Sequence, residues 1–320
     1  MKVVATLSTI PSRIDRIRPT IESLLRQTYP VETVEINVPY WCVRTAEPYK
    51  VPDWLTAMKG VDVHRTEDYG SITKVAPTLI RHAGRGVYVW SVDDDFVYRP
   101  KHLETLMSKA DGKSVVALHG GIWSPQGFYG GHHRDFELDI VEGFFGIVYP
   151  PDCIKADFLP YVEKTSADWD NRKSDDIILS NYIATHGITM RKVVYDPKVL
   201  GLTSGTQKYG EEPDALKHQD DGHPARYLRV LDWLKKAGLC GWKDLPKMVE
   251  RIAPQKVHYP KRQPPPPRHT VVPSILVQQR PISSLYYSYA LKGKNKPLVI
   301  TNEQGADKLL VGGGKDSRSE

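Results

Sequence analysis

The stretch that decides the fold is VYVWSVDDDFVYRP, residues 87–100. Val87 to Val92, mostly apolar, run straight into three carboxylates, Asp93, Asp94 and Asp95, and the chain turns apolar again at Phe96. A short apolar run with aromatic and β-branched residues reads as a core strand. Three adjacent anions repel one another and cost stability unless something positive lies among them.

Outward from this strand the chain alternates. VVATLS at 3–8, TVEINV at 33–38 and VDVHR at 61–65 read as strands before it, and SVVALH at 114–119 as a strand after it. Between them, Ile14, Ile17, Ile21, Leu24 and Leu25 keep helical spacing, with Pro11-Ser12 as a turn and candidate N-cap. Residues 72–82 read as a helix if Pro77 lies in its first turn, and KHLETLMSK at 101–109 as another. Strands alternating with helices predict an α/β fold with a mostly parallel central sheet covered on both faces. Ligands in such folds gather at the carboxyl ends of the strands, where Asp93 to Asp95 sit.

The second part is less regular. GGIWSPQGFYGGHH at 120–133 reads as a Gly- and aromatic-rich loop, and FELDIVEGFFGIVYP at 136–150 as β structure broken at Gly143 and Gly146. A helix is expected from Ser174 to Gly187, a strand in TMRKVVY, and a helix in PARYLRVLDWLKKAGL at 224–239. From about residue 251 the texture changes: HYPKRQPPPPRH excludes helix, and VGGGKDSRSE has a disordered composition. The expected organisation is one α/β domain over residues 1–250 and a basic, Pro-rich extension, partly disordered, over 251–320.

Charge and cysteines narrow the class. The net charge is +6, yet residues 251–320 carry 12 Lys and Arg against 4 Asp and Glu, so the body has no basic excess. No nucleic-acid partner is expected for it. No apolar run approaches the length of about 18 residues that a membrane helix needs. The N-terminus reads as a first core strand rather than a secretory signal. Cys42, Cys153 and Cys240 lack metal-type spacing and are odd in number, which suits a reduced, cytoplasmic chain.

Two acidic groups carry the chemistry. The Asp93–Asp95 triplet can be a solvated loop, an Asp capping the helix near Lys101, or a divalent cation site. Carboxylate oxygens are hard ligands suited to Mg²⁺ or Mn²⁺, and Mg²⁺ usually completes its shell with phosphates, so a diphosphate is the expected partner. Asp175 and Asp176 can be acids favoured by a helix dipole, with Ser174 as N-cap, or a general base for an attacking hydroxyl.

With these residues in place, the chain resembles the nucleotide-sugar domain of GT-A glycosyltransferases, similar to family-2-like bacterial and viral enzymes. The resemblance rests on ATLSTIPSR at 5–13, DYGSITKVAPTL at 68–79, SVDDDF at 91–96, EGFFGIVYP at 142–150 and SDDIILSNYIATHGI at 174–188, in that order, and covers about residues 1–240. It implies a metal-dependent, inverting transfer from a UDP- or GDP-type sugar to a glycan or other hydroxyl acceptor. It also implies Asp176 as base with Asp175 its neighbour, and Asp93 and Asp95 at an Mn²⁺ or Mg²⁺ ion, with His218 a further ligand. Thr6, Ser8, Arg13, Asp68, Lys74, Asp93 and Asp94 fall on the donor side, and Trp123, Phe144 and Phe145 on the acceptor side; Trp123, Phe128 and Tyr129 can stack on an acceptor sugar or equally be core residues. Many family-2 enzymes carry an acidic pair after the second strand; here that place reads INVPYWC, and Asp68 is the candidate for the role. The rival expectations are a sugar nucleotidyltransferase, although TLSTIPSR lacks the glycines usual there, and a non-catalytic glycan- or nucleotide-binding protein.

Overall fold

Val3–Leu7 is buried along its whole length and forms β1, the strand on which the sheet is built. The fold is a computed structural model that describes residues 1–124, 127–130, 137–196, 200, 223–242, 245, 299–300 and 309–310. The further strands are β2 (Thr33–Pro39), β3 (Trp41–Cys42), β4 (Glu47–Pro48), β5 (Val61–Thr66), β6 (Tyr88–Ser91) and β7 (Val115–Ala117). Then come β8 (Gly120–Ser124), β9 (Gly127–Gly130), β10 (Glu137–Leu138), β11 (Ile140–Val141), β12 (Ile147–Tyr149) and β13 (Met190–Lys192). The helices are α1 (Arg18–Leu25), α2 (Asp53–Thr56), α3 (Ala76–His82), α4 (His102–Met107), α5 (Phe158–Thr165), α6 (Trp169–Arg172), α7 (Asp175–Thr185) and α8 (His223–Lys236).

Eight strands form one sheet in the order β10-β13-β7-β12-β6-β1-β2-β5. β1, β2, β5 and β6 run parallel, as do β7 and β13, whereas β12 is antiparallel to both its neighbours. Side chains alternate between two cores, as the pleat demands. Val3, Ala5, Leu7 and Trp90 face the core shared with Ile17, Ile21, Leu24 and Leu103. Val89, Val115 and Ala117 face the core shared with Leu79, Val162, Ile178 and Leu231. This is the expected mostly parallel α/β sheet with helices on both faces. β1 turns to β2 on one side and has β6 on the other, so a crevice opens at the carboxyl ends of β1 and β6.

Proline and glycine punctuate the helices for local reasons. Pro77 sits in the first turn of α3, where its missing N–H costs nothing. Pro19 does the same for α1 and divides the apolar run expected as one helix into a 3-10 turn, Ile14–Arg16, and α1. The N-cap of α1 is therefore Ile17, not Ser12. α7 is buried around most of its circumference, including Ser180 and Asn181; its C-cap is His186, and Gly187 follows with a φ of +66° that suits a glycine.

The expected loop at 120–133 is instead partly sheet: β8 pairs with β9 and β11 in a three-stranded antiparallel sheet. Gly120 makes this possible, because at its φ of +154° a Cβ would drive into the Ile140 carbonyl oxygen.

Contacts divide the chain into two units, Met1–Pro266 and Pro267–Glu320. In the second, β14 (Val299–Ile300) pairs antiparallel with β15 (Leu309–Leu310). The boundary expected near residue 250 lies outside the described residues. Among the described residues no helix is long and apolar enough to cross a membrane. All three cysteines are free, with Cys42 and Cys153 buried.

Candidate active site

β6 ends at Ser91, and the chain then carries Asp93, Asp94 and Asp95 into a crevice of about 550 Å³. The cation demanded by the triplet is supplied from two distant segments. Lys74, at the end of the 3-10 turn Gly70–Lys74, places its Nζ 2.7 Å from Asp93 Oδ1. Arg13, in the loop after β1, lies 3.5 Å from Asp94 and 4.0 Å from Asp95. Thr9 Oγ1 also donates to Asp94 Oδ2.

The two cations do not neutralise the triplet. Burial raises the Asp94 carboxyl, although Arg13 and Thr9 oppose this. Burial, with Asp93 and Asp94 beside it, pushes Asp95 up to about 7. Asp95 Oδ1 is buried and makes no hydrogen bond. A buried oxygen without a partner, in a cluster with surplus negative charge, is a fit place for a hard divalent cation. Among the described residues no group of three His, Cys, Asp or Glu is arranged to hold a metal ion, so an ion there would need phosphate or water for the rest of its shell.

Lys74 reaches across the crevice. Its Nζ is also 2.7 Å from Asp175 Oδ2, at the first turn of α7. Burial works against the ammonium, yet Asp175, Asp93 and Asp176 hold its pKa well above the ordinary lysine value. The backbone of Lys74 is fixed from behind: Thr6 Oγ1 donates to its carbonyl at 2.7 Å, and Asn37 Nδ2 donates to the same carbonyl and to Thr6 and Thr78. Thr6 is thus a buried support rather than a residue of the crevice wall.

The two acids of α7 have opposite environments. Burial raises Asp175, but Lys74 and Ser71 outweigh it and the net shift is downward. Asp176 is pushed up to about 8 by burial and by Asp175, with Lys74 opposing. Its Oδ1 accepts from the Gly143 N–H at 2.9 Å and its Oδ2 from the Tyr227 hydroxyl at 3.0 Å. Gly143 opens the 3-10 turn Gly143–Phe145, and a Cβ there would stand 2.9 Å from Lys74 Nζ. Ser174 occupies the N-cap position without capping, because its hydroxyl turns back to the Asp170 carbonyl.

Asp68 acts as a tie. Its carboxylate accepts from the Val43 and Gly70 N–H groups at 2.7 Å each and pairs with Arg172 at 2.7 Å. Gly70, at φ +82°, lets the turn lie against the Arg172 backbone.

Of the residues singled out in the sequence, Ser8, Arg13, Asp68, Lys74 and Phe144 line the crevice together with the triplet and the acid pair. Trp123 does not: it is buried and meets Trp242 edge-on at 6.0 Å. Phe145 stacks on His119 at 4.8 Å, away from the crevice wall. His218 and the side chains of Phe128 and Tyr129 lie outside the described residues. The crevice also contains Thr9, Glu142, Trp169, Arg172 and Tyr227, which the sequence reading passed over. Trp169 had a signal, a large apolar residue in the polar run SADWDNRKSDD; Tyr227 had none.

No family model matches the chain, and no curated protein matches it. Among solved structures, 4-diphosphocytidyl-2C-methyl-D-erythritol synthase is 11% identical, with 65% of this chain and 96% of that chain covered, at a TM-score of 0.39. GalNAc-T7 with UDP, GalNAc and Mn²⁺ is 11% identical, with 74% of this chain and 50% of that chain covered, at a TM-score of 0.40. At that similarity neither neighbour assigns a function to this chain.

Proposed function

We propose that the chain is a glycosyltransferase that moves a sugar from a UDP- or GDP-type nucleoside-diphosphate sugar to a hydroxyl of a glycan or other acceptor, with a divalent cation and inversion at the anomeric carbon. The observation that carries this reading is the single ammonium of Lys74 held between two acidic groups, Asp93 at the end of β6 and Asp175 at the start of α7. One group suits the diphosphate end of a donor and the other suits an attacking hydroxyl, and one crevice contains both.

Asp93 and Asp95 are the residues that would hold Mn²⁺ or Mg²⁺. Such an ion, when bound, neutralises charge that develops on a leaving diphosphate. Arg13 and Lys74 add fixed positive charge at the same end. Asp176 takes the proton of the acceptor hydroxyl as its oxygen attacks the anomeric carbon. A carboxyl with a pKa of about 8 lies close to a neutral working pH, where a general base is most effective. Asp175, held down by Lys74, keeps its charge, so neighbouring acids pushed in opposite directions divide into a fixed anion and a proton acceptor. The Gly143 N–H and the Tyr227 hydroxyl fix the orientation of the Asp176 carboxylate. Attack from the face opposite the diphosphate inverts the centre.

A screen of nucleotide sugars for hydrolysis, with Mn²⁺ or Mg²⁺ and with chelator, tests the reading without knowledge of the acceptor. One donor should be hydrolysed slowly and only with metal, and Asp176→Asn should lower turnover about 10²- to 10⁴-fold. Pyrophosphate release from a nucleoside triphosphate and a sugar phosphate, with no donor hydrolysis, would show a nucleotidyltransferase instead. Nucleotide binding without any turnover would show a binding protein.

A further inference from the structure

Of the acceptor-side aromatics expected at Trp123, Phe144 and Phe145, Phe144 lines the crevice and the other two lie away from it. A further aromatic, more exposed to solvent, joins Phe144 there. The large apolar residues exposed among the described residues are Met1, Tyr40, Trp41, Trp169 and Val194. Of these, Trp169 alone lines the crevice, and it is 47% exposed. An indole left in water at the lip of a cavity is a feature of ligand sites rather than of cores.

Its setting is rigid. Trp169 is the first residue of α6, whose N-cap Asp168 accepts from the N–H groups of Asp170 and Asn171. Asp170 accepts from Arg229 Nε at 2.7 Å, and Arg172 is bound to Asp68. Lys173 Nζ stands 5.7 Å from the ring centroid of Trp169. The same bend of chain continues into α7 and its Asp175–Asp176 start, so the indole and the candidate base sit on consecutive elements. Both are walls of one crevice whose lining mixes carboxylates and cations with apolar and aromatic side chains such as Ile10, Phe96 and Phe144. A pyranose ring matches this combination. Its C–H face meets the negative face of an indole, and its hydroxyls meet the charged groups.

We propose that Trp169 is the acceptor platform: a pyranose ring of the acceptor stacks on the Trp169 indole and presents a hydroxyl toward the Asp176 end of the crevice. This rests on the glycosyltransferase reading. Trp169 would therefore set acceptor affinity.

The test is saturation-transfer NMR on the full chain with a panel of methyl pyranosides (gluco, galacto, manno and xylo), in the presence of Mn²⁺ and UDP or GDP. At least one glycoside should receive saturation on its ring C–H protons from the wild-type chain. Trp169→Ala should weaken that binding about tenfold or more, the usual scale for truncating a contact Trp, whereas Trp169→Phe should retain most of it. Equal binding to wild type and Trp169→Ala overturns the proposal, and so does the absence of binding by every glycoside to wild type. A separate calorimetric titration of wild type with UDP and GDP, with and without Mn²⁺, tests the underlying reading. Metal-dependent nucleotide binding with glycosides indifferent to Trp169 removes the platform alone; no nucleotide binding removes the reading beneath it.

Discussion

Replacing Asp176 by Asn should stabilise the protein, by an amount that grows with pH. In the folded chain the Asp176 carboxyl is pushed up to about 8 by burial and by Asp175 and Glu142, against Lys74 and the Gly143 N–H; its ordinary value is 3.8. Between these values the folded chain keeps a proton that the unfolded chain has released. The stability tied to the neutral carboxyl is complete below the lower value and lost as pH rises through the upper one. The slope is one proton, or about 1.4 kcal/mol per pH unit. Between about pH 5.5 and pH 7.5 the wild type should therefore lose about 3 kcal/mol that Asp176→Asn does not lose. Asn can still accept from Gly143 and contact Tyr227, so the fold is retained. Asp95, pushed up to about 7, titrates in both proteins and cancels in the difference. Urea unfolding of both proteins in chelator across that pH range measures the gap. A gap that stays constant shows Asp176 to be ionised in the folded chain and removes the basis for its role as a tuned proton acceptor.

The remaining predictions address the other parts of the site. Asp95→Ala should abolish the metal dependence of nucleoside-diphosphate binding in calorimetry, and it should raise the metal-free melting temperature, because it deletes a buried carboxyl that stands beside two other carboxylates and has only a long 4.0 Å pairing to Arg13 to offset them. Gly143→Ala should lower turnover at least tenfold with a stability loss of about 1–3 kcal/mol, because its Cβ would stand 2.9 Å from Lys74 Nζ and 3.3 Å from Asp176 Oδ1; unchanged kinetics would show that Lys74 can move freely. Asp168→Ala removes the side-chain cap of α6 and should cost about 1 kcal/mol in chemical denaturation.

The parallel half of the fold was legible because local pattern determines it. Val3–Leu7 and Tyr88–Ser91 are short apolar runs that only a doubly covered sheet can bury, and the carboxylates beyond β6 follow from where that strand ends. The Asp175–Asp176 start of α7 was legible from Ser174 and Gly187 as punctuation, although the Ser174 hydroxyl turned out to bond backwards. What answers the aspartates was only partly legible. Lys74 and Arg13 were singled out for a donor, not as partners of the triplet, and they meet it across gaps of 19 and 81 residues, which leave no periodic trace. Tyr227 reaches Asp176 across 51 residues in the same way. Phe144 and Phe145 show the limit in another form. Adjacent in one 3-10 turn, they diverge, and composition could not say which of them meets the crevice. Gly120 and its neighbours read as a loop because glycine is a turn signal, while here it serves a close approach of two strands.

β12 has a consequence for how the chain comes to be made. Among the described residues it is the strand that joins β6 to β7, and it runs against both. A growing chain that has emerged through Ala117 but not yet through Tyr149 has all four parallel strands of the first half, with β6 as an open edge. That edge is YVWS, mostly apolar and, until β12 arrives, unpaired along one side. Such an edge is a template for another chain. During synthesis of the next thirty or so residues, the protein's solubility depends on how quickly β12 arrives or on a chaperone that covers β6. Premature stops in this interval should yield aggregates rather than shortened soluble domains, and the hazard ends when three residues, Ile147 to Tyr149, close the gap.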